Sequence, residues 1–213
     1  GTGVEPDAVA ARRWFLKAAR QDLPAAQYNL AVMLLNGKGG EVDRAAARQW
    51  FYQAATAGHL ESMLHLAEMC ANAAGGGQDL VCAQRWYATA AEAGDLEAQV
   101  NLGVLALAGQ AGARDPAAAL RWFRSAARGG HVRAQYNLGI MYFQGIGTEA
   151  DRKLAYAWFD VSAMGGFEPA RANRDMLAEQ MSAEAVSEAA ALSAEMIKQY
   201  GSYGERGGTA ATP

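Results

Sequence analysis

Small and apolar side chains fall along this chain at the three- and four-residue spacing of helices, and the whole pattern returns every 36 residues. Its clearest markers are Trp14, Trp50, Trp86, Trp122 and Trp158, each 36 beyond the last (50 − 14, and so on). Three residues before each stands alanine (Ala11, Ala47, Ala83, Ala119, Ala155), and directly after comes an aromatic (Phe15, Phe51, Tyr87, Phe123, Phe159). Four and five residues after come small pairs, from Ala18-Ala19 to Ser162-Ala163. Offsets of three and four lie one turn apart, so alanine, tryptophan and the next small residue share a stripe. A large ring between two small neighbours predicts a packed helix in which the tryptophan fills the gap to another helix. We call it the tryptophan helix.

Both ends of this helix are marked. Asp7, Asp43, Asp79, Asp115 and Asp151 stand seven residues before the tryptophans, where an N-cap carboxylate accepts from free backbone amides and complements the helix dipole. Pro116 follows Asp115 in the first helical position, which proline favours. Gly58, Gly94, Gly130 and Gly166 lie eight residues after the tryptophans, suited to the left-handed residue that closes a helix. The first unit has Asp22 there, a residue that tolerates this conformation. A second helix follows, reading Ala-Gln-Tyr-Asn-Leu-Ala at 26–31, Ala-Gln-Val-Asn-Leu-Gly at 98–103 and Ala-Gln-Tyr-Asn-Leu-Gly at 134–139. The copy at 62–67 is looser. Ala26, Leu30, Met33 and Leu34 make its helical stripe, and we call it the glutamine helix. Glycine-bearing turns at 37–40, 75–77, 109–112 and 145–147 lead back to the next aspartate.

A fixed period of this size is the mark of stacked supersecondary units. The residues resemble the Sel-one-like repeat (SLR) family, a cousin of the tetratricopeptide repeat. Ala134-Gln135-Tyr136-Asn137-Leu138-Gly139-Ile140-Met141-Tyr142, Gly145-Ile146-Gly147, Asp151, Ala155, Trp158 and Ala163 carry the likeness best. The resemblance implies an all-α, right-handed superhelix of 36-residue helix-turn-helix repeats. It also implies a mostly non-catalytic adaptor role in binding other proteins. The array is expected over 7–180, with 1–6 as a tail or cloning remnant. The pattern decays at Arg174-Asp175, where Leu-Gly would stand.

A separate amphipathic segment then predicts a capping helix within 181–200. Val186, Ala189, Ala190, Ser193, Ile197 and Tyr200 form its inner stripe, while Glu184, Glu188, Glu195 and Lys198 face out. A polar outer face after the last repeat suits a solenoid end. Residues 201–213 have little to bury and read as a disordered tail. The N-terminus opens on a tryptophan helix with no glutamine helix before it. The expectation is an excised piece of a longer protein, with further repeats, an anchor or a signal peptide upstream. Its bare face is a candidate for self-association.

Charge and candidate chemistry narrow the function. A net charge of −3 and a pI near 5.7 argue against nucleic acid, which selects a basic stripe. No apolar run approaches the roughly 20 residues of a membrane span. Arginine well above lysine, with abundant alanine, has the character of a GC-rich bacterial coding sequence, and an envelope or periplasmic setting is expected ahead of the cytoplasm. Cys70 and Cys82 flank the Gly75–Gly77 turn; two free thiols are the expectation and a disulfide the alternative. The Gly-x-Gly turns follow helices and not strands, so no phosphate cradle is expected. His59 and His131 are two units apart, too far to share a metal, and His65 replaces the Asn of the other units. No cofactor, metal site or catalytic constellation is expected, and the chain reads as no enzyme.

The remaining candidates lie on the glutamine helices, which by the tetratricopeptide resemblance line the concave side. Counting from the repeated leucine gives Tyr28, Val32 and Leu35, then Leu64 and Glu68. Val100, Val104 and Leu107 follow, then Tyr136, Ile140 and Phe143. A mostly apolar strip of this kind marks a partner site, and docking of a peptide or helix is its expected use. An envelope domain binding peptidoglycan or another glycan is the alternative.

Overall fold

The computed structural model describes residues 7–201. The tails assigned to 1–6 and 202–213 lie outside the described residues. Within them are eleven helices and no strand: α1 (Ala8–Ala19), α2 (Pro24–Asn36), α3 (Arg44–Thr56), α4 (Leu60–Ala71), α5 (Leu80–Glu92), α6 (Leu96–Ala108), α7 (Pro116–Arg128), α8 (Val132–Gln144), α9 (Arg152–Met164), α10 (Glu168–Glu179) and α11 (Ala183–Tyr200). Odd-numbered helices through α9 are the tryptophan helices, and α2, α4, α6 and α8 are the glutamine helices. The sequence reads as one unbroken array. Its contacts gather into two compact units that divide between Ala98 and Gln99, near the start of α6.

The predicted caps form. Asp7, Asp43, Asp79, Asp115 and Asp151 each accept from the amide three residues on, at 2.8 to 2.9 Å. Gly58, Gly94, Gly130 and Gly166 close these helices with φ of 90°, 95°, 90° and 87°, and Asp22 takes the same role at 55°.

The tryptophans themselves require a correction. The most deeply buried ring is the aromatic after the tryptophan in the inner repeats, where Phe51, Phe123 and Phe159 are 0%, 1% and 1% exposed, while Phe15 of the first is half-buried. Tryptophan exposure instead runs from 67% at Trp14 to 7% at Trp158. One residue advances about 100° around a helix, which turns the second ring onto the glutamine helix. Small residues admit it there. A Cβ on Gly103 or Gly139 would stand 2.5 Å from the Phe123 or Phe159 ring, and Ala31 and Ala67 hold the corresponding places in the first unit.

The motif glutamine is a second buried element. Gln27 Nε2 donates to the Ala19 carbonyl at 3.3 Å and Gln135 Nε2 to the Ala127 carbonyl at 3.2 Å. Each amide thus adds a second donor to a last-turn carbonyl of the preceding tryptophan helix, which already accepts from the Asp22 or Gly130 amide, and so ties the two helices together.

In the first unit α1 to α5 pack successively, each on the next. Cys70 on α4 and Cys82 on α5 are joined as a disulfide, with Cα atoms 5.9 Å apart. This overturns the free-thiol expectation, because the antiparallel pair closes to within bridging distance. In the second unit α7, α8, α9 and α10 pack in the same order. The capping helix α11 follows. It lies along α9 and touches α7, fixed by Tyr200 stacked on Trp158 (5.9 Å, 19°) and by a Lys153–Glu188 ion pair. Ser193 Oγ donates to Asp160 Oδ2 at 2.6 Å, and Arg174 Nη1 donates to Asp160 Oδ1 at 2.8 Å. Its buried stripe is Ala189, Ser193 and Met196. The short 180–182 connection turns α11 back onto the tryptophan helices. No helix among the described residues is long and apolar enough to cross a membrane.

Candidate interaction surface

The glutamine helices position the predicted site residues one turn apart, but the two units use them differently. In the second unit Val104 and Leu107 of α6 and Ile140 of α8 come together around an apolar recess of ≈ 250 Å³. Phe123 forms part of its wall, Met141 and Ala108 line it, and Asn137 supplies a polar edge. Val104 is 42% exposed at the rim. Val100 has no exposed surface and belongs to the core, so it is removed from the contact set: its side of α6 faces inward. Tyr136 packs on Phe159 and Phe167, with ring centroids 5.8 and 5.1 Å away. Its hydroxyl accepts from Asn173 Nδ2 at 3.3 Å. Phe143 is half-buried against the same core.

In the first unit the corresponding positions form an aromatic cluster. The His65 ring stacks on Phe51 at 5.0 Å, and Tyr28 stacks on His59 at 4.9 Å while meeting Phe51 at 5.9 Å. Burial, and then the Glu61 charge, push the Tyr28 hydroxyl above its ordinary pKa. Glu68 is exposed and lies 3.6 Å from His65 Nδ1. Val32, Leu35 and Leu64 are half-buried. The sequence reading treated His65 as a local substitution and missed that its ring covers the buried phenylalanine. The clue was present, since an imidazole replaces the shorter Asn found at this slot elsewhere.

The Sel1 repeat profile matches residues 1–23, 24–59, 60–95, 96–131 and 132–167. This chain belongs to the Sel1 repeat family. Two solved structures are similar. One is a Sel1 repeat protein from Oxalobacter formigenes, 33% identical, with TM-score 0.69, covering 80% of this chain and 49% of that one. The other is a protective antigen of uropathogenic Escherichia coli strains that displays an SLR fold, 27% identical, with TM-score 0.55, covering 93% of this chain and 50% of that one. This chain therefore spans about half the length of either. Comparison with the curated proteins gives no match. Sel1 repeats generally form non-catalytic scaffolds that mediate protein–protein interaction. In repeat terms the recess is shared, with Val104, Leu107 and Phe123 from one Sel1 repeat and Asn137, Ile140 and Met141 from the next.

Proposed function

We propose that this Sel1 repeat protein is a non-catalytic adaptor that holds an apolar anchor of a partner's peptide or helix on its glutamine helices. The observation that carries the reading is the second-unit recess, where Val104, Leu107 and Ile140 meet over the Phe123 ring. A pocket of ≈ 250 Å³ with one polar edge suits an aliphatic side chain. Burying such an anchor contributes about 1.5–3 kcal/mol, so several anchors are needed to offset the cost of association. An aliphatic lining also favours a protein partner over a glycan, which stacks on exposed aromatic faces.

The test is capture of partners by the parent chain and by a Val104→Asp, Ile140→Asp double variant with an equal melting temperature. A protein held by the parent and released by the variant supports the reading. One retained equally by both moves binding to another face.

A further inference from the structure

The tryptophan helices carry one groove in each unit, covered in the second and open in the first. In the second unit the groove between α7 and α9 is covered by α11, whose Tyr200 stacks on Trp158 and whose Glu188 pairs with Lys153. Two repeats earlier (158 − 72 = 86) the corresponding groove runs between α3 and α5. It measures ≈ 810 Å³ and is lined by Arg48, Tyr52, Leu66, Val81, Arg85 and Trp86. Tyr52 and Val81 stand 54% and 67% exposed, an unusual concentration of apolar surface beside a tryptophan.

The substitutions between the two grooves define what fits the open one. Val81 occupies the place of Lys153, so the occupant presents an apolar residue where α11 presents Glu188. Arg48 and Arg85 occupy the places of Leu120 and Ala157. Arg48 Nη2 donates to Cys70 Sγ at 3.1 Å and Arg85 lies 6.0 Å from the Trp86 ring centroid. Neither has a carboxylate partner among the described residues. Asp79, the acid of this lining, is held as the α5 cap. The lining is therefore cationic as well as apolar.

We infer that the α3–α5 groove docks an amphipathic helix of a partner protein built on the plan of α11. That helix carries a small-residue stripe, an apolar residue over Val81 and carboxylates facing Arg48 and Arg85. The site uses the tryptophan helices and not the glutamine helices, so it stands or falls apart from the recess described above.

The probe is a synthetic peptide of residues 182–200 with Glu188→Leu, which keeps Glu184 and Glu195 as the acids offered to Arg48 and Arg85, labelled and titrated against the full chain by fluorescence anisotropy. Val81→Glu and Arg85→Glu change exposed positions, and an acid in the first turn of α5 complements the helix dipole, so both variants keep the fold. Each is expected to weaken peptide binding about tenfold or more, while Lys153→Ala in the second-unit groove leaves it within about twofold. No binding, or equal binding by the Val81→Glu, Arg85→Glu double variant, overturns the proposal. A gain on Lys153→Ala overturns it too, because that change loosens α11 and the peptide, which lacks Glu188, is then taking the groove α11 vacates. So does peptide-free self-association that Val81→Glu abolishes, which makes a second copy the occupant.

Discussion

The two units place like residues at corresponding positions, Val32, Leu35 and Phe51 in one and Val104, Leu107 and Phe123 in the other, with opposite results. In the second unit Ile140 and the short Asn137 leave a cavity over Phe123. In the first, Glu68 and His65 stand at those places, and the imidazole lies on Phe51. The caps, closing glycines and knob aromatics that hold the backbone are shared. A repeat thus varies its presented chemistry at glutamine-helix positions that the stacking does not fix.

Removing the phenylalanine under either site breaks the comparison most severely. Phe123→Ala or Phe51→Ala is expected to cost about 3–5 kcal/mol, read from denaturant unfolding, because each ring is fully buried. Next comes the staple found in the first unit. Its second-unit counterparts are Tyr142, whose hydroxyl accepts from Arg124 at 2.6 and 3.1 Å, and Leu154. Replacing Cys70 and Cys82 by Ser is expected to cost about 2–4 kcal/mol. Faster hydrogen exchange is expected in α4 and α5, with α8 and α9 unchanged.

A smaller effect distinguishes Tyr87 from the three phenylalanine knobs. Burial, then the Glu68 and Glu97 charges, push its hydroxyl up to about 12 from 10.0. Between those values the unfolded chain has released this proton and the folded chain has not. Stability is therefore full below pH 10 and falls as the pH rises towards 12, by on the order of 1 kcal/mol after allowance for solvent screening. Tyr87→Phe should flatten this alkaline limb in urea melts. The smallest stability change sharpens the comparison directly. His65→Asn with Glu68→Ile should alter stability by only about 0.5 kcal/mol yet create a second apolar recess, detected as added binding of an apolar dye. Unchanged dye binding would show that the backbone, and not the side chains, separates the two sites.

Much of this architecture was legible in the sequence. The 36-residue period located nine of the helices, and every aspartate and closing glycine read from it performs the expected role. The period reports spacing and not direction, so it gives no sign that Phe51, Phe123 and Phe159 are buried more deeply than the tryptophans before them. α11 was legible as an amphipathic helix from its stripe. Its seat on α9 was not, because nothing in a stripe says which neighbour it meets. For the site, Val104, Leu107 and Ile140 line the recess but Val100 faces the core, and counting from leucine gave no sign of the stacked His65. Tyr52 and Val81 escaped notice because each is an apolar residue off the repeated stripe. Such a residue becomes informative only when its exposure is known.

The glutamine brace bears on where this chain tolerates surgery. Gln135 reaches from α8 back to the Ala127 carbonyl of α7, so the bond crosses the 131/132 boundary between successive Sel1 repeats. Segments grafted between Gly129 and Gly130 would part this donor from its acceptor. Grafts between Ala111 and Gly112 span the exposed Arg114 Nε bond to the Leu107 carbonyl and the Asp115 amide bond to the Ala106 carbonyl but no buried side-chain bond, and a Cβ built on Gly112 meets no atom within 4 Å. The exchangeable module of this protein therefore begins at the tryptophan helix and ends with the glutamine helix that follows it, half a repeat out of step with the family's own boundary.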